Sequence, residues 1–128
     1  MAEEDLYYRD FFRWTRDQAA RLRALARRQA EGTSDPAAAS DGVLDASHLA
    51  EEVAQAGRSE LNRVAAHLTN TLVYLLEAAW LSDATPNRRW RGEAKSTARE
   101  ACRAFTDGMR AYLDIQEIWA DALDETNA

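Results

Sequence analysis

Between Leu49 and Ala79, apolar residues return at helical spacing, interrupted in phase by a short polar series: Leu49, Val53, Ala56, Leu61, Val64, Leu68, Leu72, Leu75 and Ala79. A chain that holds one helical phase for so long has to fold around a long central helix. Gly57 inside it costs about 1 kcal/mol relative to alanine, yet the phase runs through that position and no proline follows to stop it. The spacing therefore predicts one helix over 46–81, with Gly57 as the place for a bend. Asp45 or Ser47 can cap it, and Glu51 and Glu52 lie in its first turns, where the helix dipole favours negative charge. Val53, Glu60, His67, Tyr74 and Leu81 recur at seven-residue intervals. They drift along nearly one face, so ionisable Glu60 and His67 lie on a side that otherwise reads as core.

The flanking segments are helical as well. Residues 6–30 carry the stripe Tyr8, Phe11, Phe12, Thr15, Ala19, Leu22 and Ala26. Small polar residues with Gly32, Pro36 and Gly42 then make a flexible loop over 31–44, longer than a helix hairpin needs. Ser82 to Asn87 reads as a turn, with Asn87 capping a third helix whose face is Trp90, Ala94, Ala98, Ala101 and Phe105. Gly108 breaks that helix, and a last one presents Ala111, Tyr112, Ile115, Trp119, Ala122 and Leu123. Strand and hairpin signals are missing. The expectation is an all-α bundle of about four helices with a long central helix.

A length of 128 residues suits a single helical domain, 1–128, that needs neither disulfides nor a metal to build its core. With 46% hydrophobic and 30% charged residues it reads as globular rather than disordered. A net charge of −6 weighs against nucleic acid as the main partner. One cysteine, Cys102, supports neither a disulfide framework nor a cysteine zinc site and suits a reducing cytoplasm. No secretory core and no apolar run long enough to span a bilayer are present, so no membrane role is expected.

The motifs Asp10-Phe11-Phe12-x-Trp14-Thr15-x-x-Gln18-Ala19, Leu49-Ala50-Glu51-Glu52-Val53, Gly57-Arg58-Ser59-Glu60 and Trp90-Arg91 occur in that order. Together they resemble a bacterial family of small all-helical proteins, domain-of-unknown-function family twenty-nine. The resemblance runs from about Tyr7 to Leu123, and the Leu-Ala-Glu-Glu and Gly-Arg-Ser-Glu elements are its most specific part. It implies a helical fold and no particular activity. Members often have a histidine where this chain has Tyr74, and the segment from Gly32 to Gly42 is longer than usual for the family.

Three constellations merit weighing. His48, Glu51, Glu52, Glu60 and His67 offer carboxylates and imidazoles for a metal-dependent bundle enzyme. However, Glu60 and His67 lie about 10 Å apart along the helix, and the Glu-x-x-His motif of di-iron bundles does not occur. The simpler reading is that Glu51 and Glu52 favour the helix start and Glu60 pairs with an arginine such as Arg63. Arg88, Arg89 and Arg91 around Trp90, at the start of the third helix, suggest an anion or nucleic-acid site. Pairing with Asp83, Glu93 or Glu77 explains them more simply. Nucleophilic catalysis has no support: Cys102 falls beside a core face where buried, inert thiols are common, and Ser59 has no nearby histidine.

Aromatics and arginines crowd the first helix instead. Tyr7, Tyr8, Phe11, Phe12 and Trp14 wrap more than half its circumference, so it needs neighbours on several sides. Arg9, Arg13, Arg16, Arg23 and Arg27 fall within about 80° of one another. Asp114, Glu117, Asp121, Asp124 and Glu125 form the converse acidic stripe on the last helix. Such stripes select partner and register more than they add affinity. The expectation is a cytoplasmic, non-enzymatic protein–protein interaction domain that forms a homo-oligomer or binds another protein, with no cofactor. Its contact surface is Tyr8, Phe12, Arg13, Trp14 and Arg16.

Overall fold

The computed structural model describes residues 2–32, 44–80 and 84–127. Among them are five α-helices, one 3-10 turn and no strand: α1 (Ala2–Arg9), α2 (Phe11–Gly32), α3 (Ala46–Trp80), α4 (Ala84–Ala104), the turn Asp107–Met109, and α5 (Ile115–Asn127). The chain is all-α with a long central helix, α3, which continues through Gly57. Of the loop expected over 31–44, residues 33–43 lie outside the described residues, as do Ser82 and Asp83 of the expected turn. The chain divides into two compact units, Met1–Ser59 and Glu60–Ala128, and the boundary falls inside α3.

In the first unit, the single helix expected over 6–30 is two. Asp10 separates them, buried, with its Oδ1 accepting the Arg13 backbone N–H at 3.1 Å. That bond caps α2 and satisfies one of the amides a helix start leaves open. Asp45 does the same for α3 through the His48 N–H at 3.1 Å, which decides between the two caps considered. The buried face of α2 is Phe12, Thr15 and Ala19. Opposite it, α3 buries Ala46, Ala50 and Gly57, whereas Leu49 and Ala56 of the expected apolar line are exposed. Small residues win here because the helix backbones approach closely. A Cβ built on Gly57 would overlap the Thr15 hydroxyl and lie 3.1 Å from the Thr15 Cβ.

The second unit buries Val64 and Ala78 of α3, Ala94 and Ala101 of α4, Met109, and Ile118 and Ala122 of α5. The α4 face is the expected one. On α5 the expected face is rotated by about one residue: Ile115 is 63% exposed and Trp119 44%, while Ile118 is 5% exposed. Asp114 caps α5 by accepting the Glu117 N–H at 3.1 Å, and the helix starts at Ile115, after Ala111 and Tyr112 of the expected face. Between α4 and α5, the 3-10 turn directs Met109 into the interior, and the Met109 carbonyl accepts the amides of Tyr112 and Leu113.

Polar contacts tie α3 to α4. The hydroxyls of Thr71 and Thr97 are 2.7 Å apart, and Thr71 also donates to the His67 carbonyl at 2.8 Å. Asn87, expected as a cap, lies inside α4, which begins at Ala84; its amide donates to the Ala78 carbonyl near the end of α3.

Candidate functional site

The first unit carries the features expected of a contact surface. Tyr7 packs edge to face against Tyr8, Phe11 and Trp14, with ring centroids 5.0, 5.5 and 4.8 Å away. Phe11 and Trp14 stack at 5.7 Å. This array fixes Tyr7 and Trp14, while Tyr8 projects from it with 85% of its surface exposed. Arg13 and Arg16 are exposed beside it. Phe12 does not belong to that surface: it is 3% exposed, because its position on α2 faces α3 with Thr15 and Ala19. Arg16 lies over the Phe12 ring, 5.9 Å from its centroid. Arg9, placed in the same stripe by sequence, belongs to α1.

A cleft of about 220 Å³ opens between α2 and α3 where Gly57 meets Thr15. Arg16 and Arg23 from α2 and Arg58 from α3 line it, and among the described residues no acidic one does. Periodicity placed Arg16 and Arg23 on the stripe but could not bring Arg58 to them, because that depends on the closeness of two helices. The one signal available was a glycine in mid-helix, immediately before Arg58.

The metal-ligand set does not converge. Among the described residues no group of three or more His, Cys, Asp or Glu side chains could hold a metal ion. His48, Glu51 and Glu52 are exposed on the first turns of α3, while Glu60 and His67 lie further along the same helix in the second unit. All five belong to one helix, and its pitch spreads them too widely for one ion. His48 is engaged locally: its Nδ1 is 2.6 Å from Asp45 Oδ2. That hydrogen bond raises the His48 pKa above its ordinary value and, with the bond from the His48 amide, lowers that of Asp45.

Arg88, Arg89 and Arg91 are exposed, but α4 begins at Ala84, so they lie beyond its first turn and lose the contribution of the open amides there. Among the described residues none of the three has an ion-pair partner; Asp83 lies outside that set. Trp90 is not a free stacking platform. It stacks on Tyr74 at 5.7 Å, and its indole nitrogen is buried without a hydrogen-bond partner. Tyr74 thus serves as the aromatic support of Trp90.

The acidic stripe of α5 borders a groove of about 520 Å³ against α3, with Asp114, Glu117, Asp121, Asp124 and Glu125 along it and Asn62 and Asn70 opposite. A second groove, about 510 Å³ and apolar, runs between Val64, Leu68, Phe105 and Leu113. Cys102 lines it and is exposed, contrary to the expected buried thiol, because Ala101 takes the adjacent core position. No described helix is long and apolar enough to cross a membrane.

The model of the family described as domain of unknown function DUF29 matches residues 6–128, and the chain belongs to that family. Among solved structures, the chain is similar to an alpha-helical protein of unknown function from Rhodospirillum rubrum. The two are 34% identical with a TM-score of 0.77, over 94% of this chain and 71% of the other. No functionally curated protein matches.

Proposed function

We propose that this member of the DUF29 family is a non-enzymatic protein–protein interaction domain that self-associates through the surface around Tyr8, Arg13, Trp14 and Arg16. The observation that carries this reading is Tyr8: a large aromatic, 85% exposed, held against an ordered cluster of rings beside arginines. Rigid aromatics and arginines dominate interface energetics because they bury much surface for little lost conformational freedom. The basic side of α2 and the acidic side of α5 give two copies complementary charge with which to set register. A reducing compartment, the cytoplasm, suits the one free thiol.

Native mass spectrometry and sedimentation of the untagged chain test the reading. The expected result is a dimer or higher oligomer at micromolar concentration. Tyr8→Ala is expected to weaken it by about tenfold or more, as truncation at an interface hot spot does. A strictly monomeric chain under those conditions overturns self-association.

A further inference from the structure

We propose that the cleft between α2 and α3 in the first unit is an oxyanion site for a phosphate group, gripped by Arg23 and Arg58 with Arg16 at its edge. The cleft shares Arg16 with the proposed contact surface, but its two gripping residues, Arg23 and Arg58, lie outside that surface. Guanidinium groups from two helices line one void, and among the described residues no carboxylate does. Gathering like charges around a cavity is unfavourable unless an anion offsets them.

Arg23 and Arg58 are available for this. Arg58 donates at 2.8 Å to Gln55 Oε1, a neutral amide that orients the guanidinium without cancelling its charge. Among the described residues Arg23 has no hydrogen-bond or ion-pair partner. The surroundings reinforce the field, since α2 carries six arginines against Asp17 and Glu31, and Asp17 is already paired with Arg21 at 3.4 Å. Gly57 makes the geometry possible: with no side chain there, α3 approaches α2 closely enough for Arg58 to share a cleft with Arg23.

Ligand class follows from the donors. Each guanidinium presents a planar fork that matches two oxygens of one anion. A carboxylate has one plane of oxygens and is satisfied by a single fork. A phosphate is tetrahedral and presents oxygens toward both helices at once. The arginines around Trp90 lack this arrangement, because consecutive positions diverge by about 100° around a helix; Arg91 lines a separate, largely apolar cleft of about 490 Å³ between Thr71, Leu75 and Lys95.

The test is calorimetric titration of the full chain, near neutral pH and at low ionic strength, with inorganic phosphate, glycerol 3-phosphate and acetate. Saturable phosphate binding is expected, with acetate weaker by about tenfold. Arg23→Gln and Arg58→Gln are each expected to weaken phosphate about tenfold, since a hydrogen bond to a charged group is lost. Arg58→Lys keeps the charge, loses the fork and falls between. Circular dichroism verifies that the variants fold, and Arg88→Gln/Arg89→Gln is expected to bind like the parent. Tighter binding of glycerol 3-phosphate identifies a phosphomonoester as the source, and equal or weaker binding identifies free phosphate; either supports the site. No saturable binding, acetate as tight as phosphate, unchanged binding by the Arg23 and Arg58 variants, or equal loss in the Arg88/Arg89 variant overturns it.

Discussion

The first unit brings two helices together over a glycine, Gly57 of α3 meeting Thr15 of α2, with Phe12 and Ala19 of α2 and Ala46 and Ala50 of α3 buried as well; the second buries Met109, Val64 and Ile118 together with alanines. In one, stability depends on a side chain that is missing, and in the other on side chains that fill space. The surfaces differ in parallel. The close approach in the first unit leaves a small cleft walled by arginines, whereas the second has wider grooves, one acidic and one apolar. Packing style and surface chemistry are therefore coupled: thin helix contacts bring long polar side chains from both helices to the same opening.

Substitutions that invert this contrast should have unequal effects. Met109→Ala removes a fully buried side chain and is expected to cost about 2–5 kcal/mol, read by urea denaturation under circular dichroism. Gly57→Ala adds the overlapping Cβ, at about 1–3 kcal/mol for overpacking, less the roughly 1 kcal/mol of helix propensity that alanine restores. Combining it with Thr15→Ala should recover part of that loss, because the overlapping hydroxyl is then gone. Strict additivity of the two, or a Gly57→Ala variant more stable than the parent, breaks the comparison.

The smallest effect concerns the Asp45–His48 pair, which is fully exposed. The folded state lowers the Asp45 pKa, so that contribution is present above the ordinary carboxylate value and fades as pH falls. It raises the His48 pKa, so that contribution is full below the ordinary imidazole value and is lost as pH rises through the raised one. Both act together between about pH 4 and 6.5. Nuclear magnetic resonance titration of the imidazole should show its pKa falling toward the ordinary value in Asp45→Asn; no change would remove Asp45 as the cause.

Much of the backbone was legible in the sequence because period and capping are local. The long α3 and the α4 face follow from spacing and residue type alone; for the α3 cap these leave Asp45 and Ser47 as equals, and the His48 N–H bond selects Asp45. On α5 the expected face holds at Ala122 and fails at Ile115 and Trp119, which outrank Ile118 in bulk although Ile118 is the residue turned inward; bulk does not reveal which side meets a neighbour. Leu49 and Ala56 were placed in the core on the same reasoning, while close helix contact selected Ala46, Ala50 and Gly57. The arginine cleft was half legible. Arg58 stood out only within a motif, and its neighbours across the cleft are fixed by tertiary approach, to which periodicity is blind.

The α3 helix passes from one unit to the other without interrupting its hydrogen-bonded ladder. A cut between Ser59 and Glu60 would strand a turn of carbonyls on one fragment and a turn of amides on the other, both at the middle of a helix with no cap to receive them. A fragment ending at that point would leave those groups to be satisfied by water, so a truncation there is expected to fray the helix from the cut.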